Sequence, residues 1–199
     1  MKRLCPITIL VALLLLGCTT AAEKRYFQLH IPPPQNAAKT PSIPRTVMVK
    51  NALVEKAYDE YRLVYRYSPY QLDYYNYEYW IEKPSRMIRK VVADYLRKRN
   101  VFTRVLHGNA NDAAQWFIEP SVAALEEFDR NRHWYAHLAM TIHIRDKITG
   151  RILVSHSFNR MDRLSRRDSR LLPRLLSEIL RTEMDELIRK LHSKVSDLP

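Results

Sequence analysis

From residue 46 onward, the alternation of apolar and polar positions separates strands with a two-residue repeat from two segments with a helical repeat. Thr46-Val47-Met48-Val49 reads as a strand. Arg62 to Tyr67 is a second, closed by Ser68-Pro69, and Gln71 to Tyr74 is its hairpin return. Pro84 suits a first helical turn, where its missing amide hydrogen is not needed. Met87, Ile88, Val91, Val92, Tyr95 and Leu96 then share one face of a helix of about four turns. Val101 to Leu106 is a short strand. Trp116, Ile118 and Val122 alternate with polar or small residues, and Pro120 pushes this strand toward a sheet edge or a bulge. The clearest alternation is Trp134, Ala136, Leu138, Met140, Ile142 and Ile144, followed by a turn at 146–150 and a partner strand carrying Ile152, Val154 and Phe158. A final stripe from Leu172 through Leu176, Leu180, Met184 and Leu187 to Leu191 predicts a helix over about 173–191. The fold class is α+β: a mostly antiparallel sheet with two amphipathic helices packed on one face.

The first residues follow another rule. Lys2 and Arg3 precede an apolar run from Ile7 to Leu16, then Gly17 and Cys18, the layout of a secretory signal. As a helix that run would span only ~15 Å, against ~30 Å of membrane hydrocarbon, so it predicts export rather than a transmembrane anchor. Leu15-Leu16-Gly17-Cys18 resembles the lipobox of bacterial lipoproteins, which implies cleavage before Cys18 and lipidation of its sulfur. Thr19 is not the aspartate that would resemble an inner-membrane retention signal, so the resemblance implies the periplasmic face of the outer membrane. Multiple acyl chains, each adding about 0.8 kcal/mol per buried methylene, would make that anchor effectively permanent. Pro32-Pro33-Pro34, Pro41 and Pro44 mark a semi-extended tether. Within it, Tyr26-Phe27-Gln28-Leu29 alone has strand character, and its docking would shorten the tether's reach. The expected organisation is a signal peptide over 1–17, a lipidated N-terminus and Pro-rich tether over 18–45, and a periplasmic domain over 46–199.

Charge and composition narrow the function. Cys5 lies in the segment expected to be removed and Cys18 is the expected anchor, so stability must come from packing rather than from a disulfide. Without Lys2 and Arg3 the 33 basic residues become 31, which against 21 acidic residues leaves +10. In the periplasm such charge suits anionic lipid or acidic proteins, and nucleic acid is not expected. Three glycines leave no phosphate-cradling loop. His137 and His143 are ~20 Å apart along a strand, so no metal site is expected. Glu126-Glu127 and Asp185-Glu186 are sequence neighbours whose side chains diverge, and no nucleophile motif appears. No catalytic residue, metal or cofactor is expected.

Tyr58, Tyr61, Tyr65, Tyr67, Tyr70, Tyr74, Tyr75, Tyr77 and Tyr79 crowd one short segment with Trp80. Rings that join apolar area to a polar tip suit interfaces, although roughly half of them could equally fill the core beneath the hairpin. The candidate docking residues are Arg66, Tyr70, Tyr74, Tyr75, Tyr77, Tyr79 and Trp80.

Arg62-Leu63-Val64-Tyr65-Arg66, Pro69-Tyr70-Gln71-Leu72, Tyr74, Trp80 and Glu82, running into an amphipathic helix, resemble the ABC-type transport auxiliary lipoproteins. These include the paraquat-inducible protein C type associated with Mce-type lipid transporters. The lipobox, the Tyr26-Phe27-Gln28-Leu29 opening, the late hairpin and the final helix extend the likeness over nearly the whole mature chain. The resemblance implies a noncatalytic outer-membrane lipoprotein that works with an Mce-type protein and ABC transporter components, and the chain is also expected as a homo-oligomer. The alternative from sequence is a structural or assembly lipoprotein serving an outer-membrane protein or the envelope.

Overall fold

A computed structural model describes residues 23–33, 38–107, 113–130 and 132–195. The expected signal segment and Cys18 lie outside the described residues. In chain order the elements are β1 (Arg25–Phe27), β2 (Ile43–Val49), β3 (Leu53–Val54), β4 (Arg62–Ser68), β5 (Gln71–Trp80), α1 (Pro84–Lys98), β6 (Phe102–His107), β7 (Trp116–Arg130), β8 (His133–Asp146), β9 (Ile152–Arg163) and α2 (Leu171–Val195).

β7 is the spine of one mixed sheet. Along one edge it pairs antiparallel with β8 over its whole length, and β8 pairs with β9, forming the long hairpin that the alternation from Trp134 to Ile144 predicts. Along the other edge it takes three short parallel partners in turn: β2 opposite Trp116 to Ile118, β3 opposite Ser121 and Val122, and β4 opposite Glu127 and Phe128. β6 flanks β2, while β5 and then β1 flank β4. The α+β class therefore holds, with long antiparallel ladders joined by short parallel ones.

Pro120 sits in this central strand rather than at a sheet edge. It lies between Ile118, which faces β2, and Ser121, which faces β3, so a residue with no amide hydrogen occupies the place where that edge changes partner. A bulge between Val122 and Ala124 then reverses which side chains face the helices. Ile118 and Val122 face them before the bulge and Leu125 and Glu127 after it, because residues paired across a ladder share a face.

α1 packs against β6, β2 and β3, and α2 against β8 and β9. Asp185 of α2 accepts hydrogen bonds from Tyr95 and Arg99 at the end of α1, which ties the two helices together on one face. Val47, Val49, Ile118, Ala136, Leu138, Ile142 and Ile144 supply the sheet side of the core. Met87, Ile88, Val92 and Leu96 meet it from α1, and Leu176, Leu180, Met184 and Leu187 from α2.

Residues 25–31 fall in the range assigned from composition to the tether, yet they are folded into the body. β1 pairs in parallel with β5, Leu29 and Ile31 are buried, and the His30 amide donates to Ser177 Oγ of α2. The apolar side chains of this segment outweigh its proline-rich surroundings, and its docking is the case in which the tether's reach shortens. No helix among the described residues is long and apolar enough to cross a membrane.

Candidate docking face

The hairpin of β4 and β5 carries the candidate residues, and the structure divides them. Trp80 is 2% exposed and belongs to the core. Arg66 points inward: its Nε donates to Glu126 at 2.9 Å and its Nη2 to the Tyr58 hydroxyl at 2.7 Å. Trp80 is enclosed, and Arg66, 21% exposed, is engaged by Glu126 and Tyr58. Both are consumed by the apolar and polar demands of packing β5 and β4.

Tyr74 and Tyr79 are half-buried and held locally. Tyr74 donates its hydroxyl to the Ala57 carbonyl, with Arg62 stacked 4.4 Å from its ring centroid. Tyr79 donates to the Asn76 carbonyl and packs beside Tyr26, with Lys24 over its ring. Tyr75 stacks edge-on against Tyr65, which in turn meets Tyr67, each pair with centroids 4.9 Å apart. What remains open to a partner is Tyr70, 98% exposed at the hairpin turn, with Tyr77 at 46% and Tyr67 at 40%. Tyr67, outside the original candidate set, joins the face because it shares a strand side with Tyr65.

Beneath this hairpin the adjacent acids Glu126 and Glu127 occupy opposite faces of β7, as their neighbouring positions in a strand require. Glu126 is 1% exposed. It accepts from Arg66 and from the Tyr58 hydroxyl, and His137 Nδ1 stands 2.9 Å from its Oε1. Burial alone would raise its carboxyl, but the hydrogen bonds of His137, Tyr58 and Arg66 outweigh burial and hold it below the usual carboxylate range. Burial, then the bond to Glu126, pushes the Tyr58 hydroxyl up to about 12.

Glu127 has the opposite environment. Its side chain has no solvent exposure, neither oxygen accepts a hydrogen bond from the described residues, and the nearest cation is Arg167 Nε at 3.5 Å. Burial raises its carboxyl above the usual range, against the weaker pull of Tyr75 and Arg167. Sequence reasoning finds that these two acids diverge and misses their buried partners. The available signal is the adjacent pair itself, set in the middle of a strand flanked by Leu125 and Phe128.

Past β9, the segment of Arg166, Arg167, Asp168 and Arg170 closes over Tyr75, Glu78 and Arg25, leaving an open recess of about 420 Å³. Arg166 and Arg170 both pair with Asp168, holding its carboxyl far below the usual range chiefly through the Arg170 hydrogen bond. No group of three or more metal-ligating side chains converges among the described residues. The arrangement offers guanidinium donors and aromatic rings at a surface, which is recognition chemistry.

Comparison with solved structures gives the fold independent support. Protein XCC0632 of Xanthomonas campestris, from the family known as DUF330, is similar with 14% identity, 87% of this chain and 97% of that chain covered, and a TM-score of 0.71. A second, uncharacterized protein is similar with 13% identity, coverage of 85% and 99%, and a TM-score of 0.67. No match is found among curated proteins. The sequence model described as the ABC-type transport auxiliary lipoprotein component matches residues 27–186, most of the chain and every element from the end of β1 into α2, and the chain belongs to that family.

Proposed function

We propose that the protein is an outer-membrane lipoprotein that docks the periplasm-spanning component of an ABC/Mce-type lipid transport system, without catalysis of its own. Family membership over residues 27–186 is the observation that carries this reading. The run Ile7 to Leu16 followed by Gly17-Cys18 supports export and lipidation at Cys18. The open Tyr77 supports a protein-facing surface, since large rings with polar tips dominate such contacts.

Anchoring is tested by labelling cells with a palmitate analogue and fractionating their membranes. The parent chain is expected to take up label and float with the outer membrane. Cys18→Ala is expected to lose the label, and to be released from the membrane by high salt. Label that survives the substitution contradicts the anchor.

A further inference from the structure

β1 is parallel to β5, with Arg25 opposite Glu78, so the chain enters β1 from the side on which β5 begins, the side of the Pro69-Tyr70 turn. Seven residues separate Glu78 from Gln71, which at ~3.3 Å each is at most ~23 Å. Cys18 is likewise seven positions from Arg25, so the link to an anchor there has about the same maximum reach as the distance from Arg25's level to that turn. A link this short, entering β1 from this side, keeps an anchor at Cys18 within reach of this end of the sheet.

The chemistry of that end suits a lipid surface. Arg66 lies opposite Phe128 in the ladder, which puts the β4–β5 turn level with the β7–β8 turn, and Arg163 at the end of β9 lies opposite Tyr135 close by. Arg130, Arg132, Arg163 and Arg166 are exposed there, beside the exposed Tyr67 and Tyr70. Among the carboxylates at this end Asp73 is exposed, while Asp129, Asp162 and Asp168 are half-buried. The opposite end presents Ile148, 93% exposed, in the β8–β9 turn.

We infer that the end of the sheet formed by the β4–β5 and β7–β8 turns is a membrane-seating surface, with Arg130, Arg132 and Arg163 on anionic headgroups and Tyr70 in the interfacial layer. Arginines near an anionic leaflet and tyrosines at headgroup depth are each favourable there. The inference rests on the lipid anchor proposed above for its orientation, and adds a contact made by the folded body. It also leaves Tyr77 and the opposite end of the sheet free for a protein.

The test uses the chain from residue 18 with Cys18→Ser, which keeps every described residue of the sheet and core and has no other thiol. Tyr70→Cys and Ile148→Cys, each carrying an environment-sensitive fluorophore, are mixed with phosphatidylglycerol-rich vesicles or with phosphatidylcholine vesicles. The expected result is a blue shift at position 70 on the anionic vesicles alone and none at 148. R130Q/R132Q/R163Q is expected to weaken vesicle binding by roughly 100-fold. Equal responses at both positions, a response at 148 only, or none at either overturns the inference. A probe at 70 that shifts with an acidic protein partner and stays in water on vesicles also overturns it, and makes this end a protein site. Because this chain carries no lipid, failure here leaves the palmitate result at Cys18 standing, and loss of that result leaves vesicle binding measurable.

Discussion

Glu126→Ala removes the acceptor at the centre of the cluster that joins β4, β7 and β8. The carboxylate is 1% exposed and lies within 2.9 Å of donors on Arg66, Tyr58 and His137. Its loss leaves the Arg66 guanidinium, 21% exposed, with only the Tyr58 hydroxyl and the Pro69 carbonyl among its described partners. Breaking a buried ion pair from one side costs about 3–5 kcal/mol. Water reaches part of Arg66, so the lower end of that range, about 3 kcal/mol, is expected. Glu126→Gln keeps the shape and one acceptor and should cost about 1.5–3 kcal/mol, the value of a charged hydrogen bond. Tyr58→Phe should cost about 1 kcal/mol alone and less in the Glu126→Gln background, because the bond it removes is shared. Urea unfolding followed by circular dichroism gives these differences as midpoint shifts at constant slope. An Ala variant within about 1 kcal/mol of the parent would refute the placing of Arg66 as a structural cation, and would return it to the docking face.

Glu127→Gln should raise stability at neutral pH. A carboxyl whose folded pKa is raised contributes stability that is present below the ordinary value, near 4.3, and is lost as pH rises through the folded value. Glu126, with a lowered folded pKa, contributes stability above that value and loses it as pH falls. Unfolding midpoints across the acid range should therefore respond in opposite senses to the two Gln variants, and parallel profiles would contradict the assigned environments. Leu29→Ala, at 3% exposure in the segment that follows β1, should cost about 2–4 kcal/mol; a cost under about 0.5 kcal/mol, the level of surface changes, would return residues 25–31 to the tether. Trp80→Ala should cost about 3–5 kcal/mol and Tyr70→Ala less than about 0.5 kcal/mol. Only Tyr70→Ala should alter surface contacts without altering the unfolding midpoint.

The helices and the β8–β9 hairpin were legible from sequence because a face buried against one layer leaves a clean repeat, as Met87 to Leu96 and Trp134 to Ile144 show. β7 was legible only as far as Val122. Beyond the bulge, Ala124, Leu125, Glu126 and Glu127 are buried in succession, so the two-residue alternation disappears. The strand character of β1 was legible at Tyr26-Phe27, but its partner was not, because that partner in β5 is about fifty residues away. The aromatic residues of β5 carry the same composition whether buried like Trp80, half-buried like Tyr74 or exposed like Tyr77. A wide register shift between Arg62 and Val64 decides which is which, and no local pattern encodes it.

The central claim is the link to a transport system, and crosslinking in intact cells tests it most directly. The full lipidated chain, crosslinked through a photoreactive residue at Tyr77, would be purified from membranes and its adducts identified by mass spectrometry. The account predicts an Mce-type protein, together with the ABC transporter components that copurify with it. Adducts confined to a β-barrel or an envelope-bracing protein would contradict it.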